Sequence, residues 1–185
     1  MKCTECGNKM TRSVVDHVYR ESGLDNVILH GITRYRCESC GAERVQIPNM
    51  GPLHRAIARA IAHKPARLVP AEVRFLRDHL ELSNKDFAAL MGVTPEQASR
   101  WTSSEPIGVP AERFLRTLAL LGPGVVSLDQ GDDREDDSLP DPELSPSLFK
   151  ALLRELPPPS TAPREVPIDL RRAPSGWKLE AHAAS

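Results

Sequence analysis

Cys3-Thr4-Glu5-Cys6 and Cys37-Glu38-Ser39-Cys40 contain every cysteine of the chain, and their spacing decides how its first quarter folds. A Cys-x-x-Cys turn points two thiolates at one centre, and a second such turn completes a tetrahedral site for Zn²⁺. Each pair is followed by glycine, Gly7 or Gly41, which frees the backbone to adopt positive φ and aim amides at the sulfurs. Two disulfides are the competing reading. The chain opens Met1-Lys2-Cys3 with no apolar signal core and no membrane-length run, so a reducing, cytoplasmic setting without a membrane is expected. There Cys3, Cys6, Cys37 and Cys40 read as ligands of one structural zinc. A closed four-cysteine site leaves no position for substrate or water, so the metal holds structure and does no chemistry.

The residues around the cysteines read as strands: Ser13 to Tyr19, Val27 to Arg36 with β-branched Val27, Ile28, Ile32 and Thr33, and Glu43 to Ile47. This predicts a zinc ribbon over residues 1–50, a unit too small to bury an adequate core without a staple. His17 and His30 lie in these strands and are expected as surface or interface residues, since four cysteines already complete the site. Residues 51–69 read as a connecting helix and linker, with Leu53, Ile57, Ala60 and Ile61 on one face and Pro65 ending it.

A second pattern occupies residues 70–121. Pro70 opens a helix with Val73, Leu76 and Leu80 on an apolar stripe. Ser83 reads as an N-cap with Asp86 three residues on, and the helix it starts ends at Gly92. Thr94 caps a further helix with Pro95 at its first position, running to Trp101, which is expected in the core. After Pro110 a fourth helix turns Phe114, Leu115, Leu118 and Leu121 toward a core. Two short helices joined through Gly92-Val93, with small Ala88 inside the first, read as a helix-turn-helix.

The second helix of that motif suits the major groove. On that geometry Gln97 offers a bidentate amide to adenine and Arg100 a guanidinium to guanine or phosphate. Asn84, Lys85 and Thr94 stand at helix starts, where donors meet phosphate oxygens. Glu96 and Ser99 complete the candidate DNA-binding set on the same helix. An interaction bundle with no DNA role is the alternative, because residues 67–121 carry seven Lys/Arg against seven Asp/Glu. Residues 1–66 carry ten against six, and residues 122–185 seven against twelve, so the front is basic and the rear acidic.

The order Leu82-Ser83-Asn84-Lys85-Asp86-Phe87-Ala88, Gly92-Val93-Thr94 and Ala98-Ser99-Arg100-Trp101 resembles the Cro/repressor (Xre) type of helix-turn-helix. A cysteine ribbon opening on Met1-Lys2-Cys3 and leading into it resembles the MqsA/YgiT-type antitoxin family over roughly residues 1–121. Asn84 stands where the pattern usually has Gln, and Thr102 where Glu commonly follows Trp. The resemblance implies a homodimer through the helical domain, binding to a palindromic operator, repression of the chain's own operon, nucleoid association when DNA-bound, and a small RNase-type toxin engaged by the zinc domain. A stand-alone regulator without a toxin and an adaptor without DNA binding are the alternatives.

Residues 122–185 read as a largely irregular tail. Asp129 to Glu143 is an acidic, proline-containing stretch, Ser145 to Leu156 one amphipathic helix, and Pro157-Pro158-Pro159 a spacer. Val166 to Leu170 and Trp177 to Leu179 are short apolar patches; the apolar face of the 145–156 helix favours a tail that folds on a partner over a dispensable extension. No phosphate loop, His-Glu-x-x-His or nucleophile elbow occurs, and clustered Asp132, Asp133, Asp136 and Asp137 lie in a linker, so no enzyme is expected. The fold class expected is α+β: a small β ribbon, an all-α domain and the tail.

Overall fold

The structure, a computed structural model, describes residues 1–123, 151, 154, 156, 162–174 and 176–180. Its chain divides into two compact units, Met1–Ile57 with Pro167–Ser185, and Ala58–Val166. The class is mixed α and β, with five strands and five helices among the described residues. None of the described helices is long and apolar enough to cross a membrane.

The first unit is built on β2 (Val27–Cys37), the longest strand. β1 (Met10–Val18) pairs with it antiparallel along nearly its whole length, from Met10 opposite Cys37 to Val18 opposite Ile28. The ladder slips once: Asp16 faces both His30 and Gly31, and Gly31 takes φ +75°. That bulge divides the other edge of β2 between two partners. Above it, β3 (Glu43–Gln46) pairs antiparallel with Thr33 to Arg36. Below it, β4 (Ile168–Ala173) pairs parallel with Val27 to His30, and β5 (Gly176–Leu179) closes a hairpin onto β4.

The tail expectation is therefore corrected over 167–180. The apolar patches Val166 to Leu170 and Trp177 to Leu179 contribute two strands to the N-terminal sheet. The cause is burial: Val27 and Leu29 are fully buried, and Ile168 and Leu170 are buried beside them. The amphipathic helix expected over 145–156 and the acidic stretch 129–143 lie outside the described residues, apart from 151, 154 and buried Leu156.

The helix α1 (Met50–His63) begins with the buried Leu53 and Ile57, and His54 bonds the buried Tyr19 hydroxyl at 3.0 Å. In the second unit follow α2 (Pro70–His79), α3 (Asn84–Met91), α4 (Pro95–Trp101) and α5 (Val109–Leu121). Val73, Leu76, Phe87, Ala88, Ala98, Ile107, Leu115 and Leu118 form its apolar interior, with Trp101 buried as expected. Phe114 departs from the expectation: it is 37% exposed, one position outside the stripe set by Leu115, Leu118 and Ala119.

A charged network crosses this interior. Arg116, 4% exposed, donates to the carbonyls of Ala62, Lys64 and Ala66 and to Glu112. Glu112 also accepts from Arg67 and from the Leu68 amide. Lys64 donates to fully buried Glu72 at 2.5 Å and to the Arg164 carbonyl at 2.6 Å. Burial pushes Lys64 down and Glu72 up, and each opposes the other's shift. One guanidinium thus stops the carbonyls left over at the end of α1 from being orphaned.

Candidate metal centre and nucleic-acid interface

The two cysteine turns have one hydrogen-bonding pattern. The Cys3 amide donates to the Asn8 carbonyl and the Gly7 amide to the Cys3 carbonyl; the Cys37 amide donates to Ala42 and the Gly41 amide to Cys37. Gly7 and Gly41 take φ of 76° and 74°, the left-handed conformation that glycine permits without a Cβ penalty. Two copies of one turn therefore face each other across the end of the β1–β2 ladder.

All four Sγ atoms lie within 4.8 Å of one another. Cys3 and Cys40 approach to 3.6 Å, and Cys6 and Cys37 to 3.4 Å. A tetrahedral ion with metal–sulfur bonds of about 2.3 Å places its sulfurs about 3.8 Å apart, so this cluster is at metal-binding distance. All four cysteines are free of disulfides. Cys3 and Cys37 are buried against Met10 and Tyr35, whereas Cys6 and Cys40 are exposed.

The thiols differ in how readily they ionise. The Cys40 amide, helped by the Cys6 thiol and the Ser39 amide, lowers the Cys37 thiol to about 6. At Cys40 the Ala42 amide favours the thiolate, but the sulfurs of Cys6, Cys3 and Cys37 outweigh it and push the thiol up to about 12. Four sulfurs crowd one point and cannot all carry charge without a cation to share. The donor set and spacing fit a structural metal ion with no open position.

In the helical unit, Ser83 accepts the Asp86 amide at 3.2 Å and caps α3. That helix stops at Gly92, whose φ of 66° is left-handed. Thr94 accepts the Gln97 amide at 3.3 Å and caps α4, with Pro95 behind it. Ala88 and Ala98 are buried, which permits α3 and α4 to approach closely.

Lys85, Thr94, Glu96, Ser99 and Arg100 are exposed and Gln97 is partly so. Their side chains are not equally free. Thr94 is engaged as the cap. Glu96 is held below the usual carboxylate range by its own amide and the Thr94 hydroxyl. Asn84 donates to the Pro95 carbonyl at 3.0 Å, tying α3 to α4, so its amide group braces the turn. Thr102 is buried and bonds back to the Ala98 and Ser99 carbonyls, which explains a hydroxyl where a charged residue would be stranded.

Arg100 and Gln97 form a pair, with the guanidinium donating to the amide oxygen at 2.6 Å. Glu105 receives both of them, Arg100 at 3.4 Å and Gln97 at 3.3 Å. Helix periodicity does not reveal Glu105 because it lies in the loop after α4.

A second polar cluster also escaped the sequence reading. His30 sits between two carboxylates, with Nδ1 3.0 Å from Asp16 and Nε2 3.0 Å from Asp169. The hydrogen bonds to Asp169, then to Asp16, raise its pKa against the opposing effect of burial. His30 thus joins β1, β2 and β4, a role no local pattern announces because Asp169 lies 139 residues away.

Protein-family profiles, curated proteins and solved structures contain no match to this chain.

Proposed function

We propose that this chain is a DNA-binding transcriptional repressor with a structural zinc ribbon, acting as the antitoxin of a toxin–antitoxin pair. One observation carries the DNA-binding reading. A capped helix, a left-handed Gly92 turn and a second capped helix leave Gln97, Ser99 and Arg100 on the outer side of α4. Such a helix fits the major groove, with Arg100 and Gln97 reading base edges and Lys85 at a helix start meeting phosphate.

The zinc reading rests on four sulfurs gathered by two matched turns. Zinc has the preference for tetrahedral thiolate that this set satisfies. In this reading the protein is a dimer on a palindromic operator, the metal has no catalytic role, and the cysteine-bearing sheet engages a small RNase-type toxin. The toxin and the dimer follow from the resemblance of residues 1–121 to MqsA/YgiT-type antitoxins.

An adaptor without DNA binding is the second reading. It is favoured by Glu105, which already satisfies the two residues assigned to bases. Gel-shift titration of the chain's own upstream DNA separates the two. Arg100→Ala is expected to lower affinity roughly tenfold while helicity is unchanged. Equal affinity for the variant contradicts the groove assignment, and no shift by the folded wild type leaves the adaptor.

A further inference from the structure

The antiparallel register carries one row of side chains across the first three strands. Arg12 on β1 stands opposite Tyr35 on β2, and Tyr35 stands opposite Arg44 on β3. Directly opposed residues share a face, so an aromatic ring is flanked by two guanidinium groups. Two positions along, the same face carries Val14, 66% exposed, and Gln46, which accepts the Tyr35 hydroxyl.

The two arginines of this face form no direct ion pair among the described residues. Arg34 and Arg36, on the opposite face, approach Glu43. Arg12 instead donates to the Thr33 hydroxyl and Arg44 to the Thr4 hydroxyl, and neither has a carboxylate partner among the described residues. Exposed Lys9 adds a third positive charge on the Arg12 side. Two acids lie close by: Glu38, which accepts from Thr11 at 3.0 Å and lines the hollow on the Arg12 side, and Glu5, which accepts from the Thr4 hydroxyl that Arg44 bonds. Two hollows adjoin the Tyr35 ring, about 710 Å³ on the Arg12 side and about 510 Å³ on the Arg44 side.

We propose that this face is a binding site for single-stranded nucleic acid, with a base stacked on Tyr35 and the backbone phosphates on Arg12, Arg44 and Lys9. A flat aromatic ring between cations meets the two needs of an unpaired strand, a surface for an exposed base and neutralisation of its phosphates. A duplex buries its bases and makes no use of the ring. An acidic peptide satisfies the cations but leaves the ring and both hollows without a planar partner. The site lies wholly in the sheet unit and is independent of α4.

The test is fluorescence anisotropy of the full-length, zinc-loaded protein with a labelled mixed-sequence RNA twelve-mer, its duplex, and polyglutamate at low and near-physiological salt. The single strand is expected to bind more tightly than both competitors, with affinity falling as salt rises. Tyr35→Leu is expected to weaken it about tenfold and Tyr35→Phe to retain it, since the ring carries the stacking. Arg12→Gln with Arg44→Gln is expected to weaken it similarly and flatten the salt dependence, and it keeps the test valid if Tyr35→Leu loses zinc. Arg100→Ala is expected to leave single-strand binding unchanged, which separates this site from operator binding. No binding by the wild type, equal binding of polyglutamate, or indifference to the double arginine variant overturns the proposal.

Discussion

The two units of this molecule solve the problem of a small core differently. The sheet unit gathers its sequence from residues 1–57 and 167–185 and closes one end of its first ladder with four sulfurs. The helical unit is mostly continuous in sequence and buries an apolar interior with one ionic network through it. In the first, a metal-sized cluster, a histidine clamp and a parallel strand add point attachments to an apolar interior of Leu24, Val27, Leu29, Ile32 and Leu170. In the second, buried Lys64, Glu72, Glu112 and Arg116 tie the interior together. Removal of a sulfur ligand is therefore expected to loosen the sheet unit, and removal of a buried charge to weaken the helical unit.

Cys37→Ser is the harshest way to break that contrast. It removes a buried ligand, and structural zinc supplies on the order of 10 kcal/mol of folding energy in small domains. The sheet amide resonances are expected to collapse while those of α2 to α5 stay dispersed, and a zinc-release assay is expected to show lost metal. Chelation of the wild type is expected to do the same.

Glu112→Ala is the corresponding test on the helical side. It strands Arg116 and Arg67 next to buried surface, at an expected cost of about 3–5 kcal/mol. Denaturant titration is expected to show the helical unit weakened with zinc content intact. A loss smaller than about 1 kcal/mol means that water reaches Arg116.

Leu170→Ala examines the strand contributed from the far end. Its side chain is fully buried in β4, so the sheet unit is expected to lose about 2–4 kcal/mol. Deletion of residues 167–185 is expected to cost more, with hydrogen exchange accelerating at Val27 to His30. Unaltered exchange there contradicts the β2–β4 pairing.

The smallest effect is a pH dependence. His30 has a folded pKa raised above 6.5, so its clamp contributes stability fully below about 6.5 and loses it as pH rises through the folded value. Asp16 is held low, first by its bond to His30, and loses its contribution only as pH falls through that lowered value. The sheet unit is therefore expected to soften with rising pH across the His30 titration, followed by imidazole resonances. Asp169→Asn removes the main cause of the shift and is expected to flatten that slope.

What the sequence discloses follows the range of the interaction. The cysteine turns, the Ser83 and Thr94 caps, and the Gly92 stop each depend on neighbours within a few residues, and each is legible. The strands of the first unit are also legible, since alternation and β-branched residues mark them locally. β4 and β5 are not: Ile168-Asp169-Leu170 is too short to announce a strand, and its partner is Val27 to His30. In isolation it is a short apolar patch, and what covers it is the front of the same chain. At the candidate DNA surface, residue types were legible while their engagements were not. Asn84 braces the turn, and Glu105, invisible to helix periodicity, holds Arg100 and Gln97.

Nuclease footprinting of the full-length, zinc-loaded protein on its own upstream DNA at near-physiological salt tests the central claim most directly. The account predicts two protected half-sites about one helical turn apart, with protection lost in Arg100→Ala. Folded, zinc-loaded protein that protects nothing contradicts operator recognition by α4.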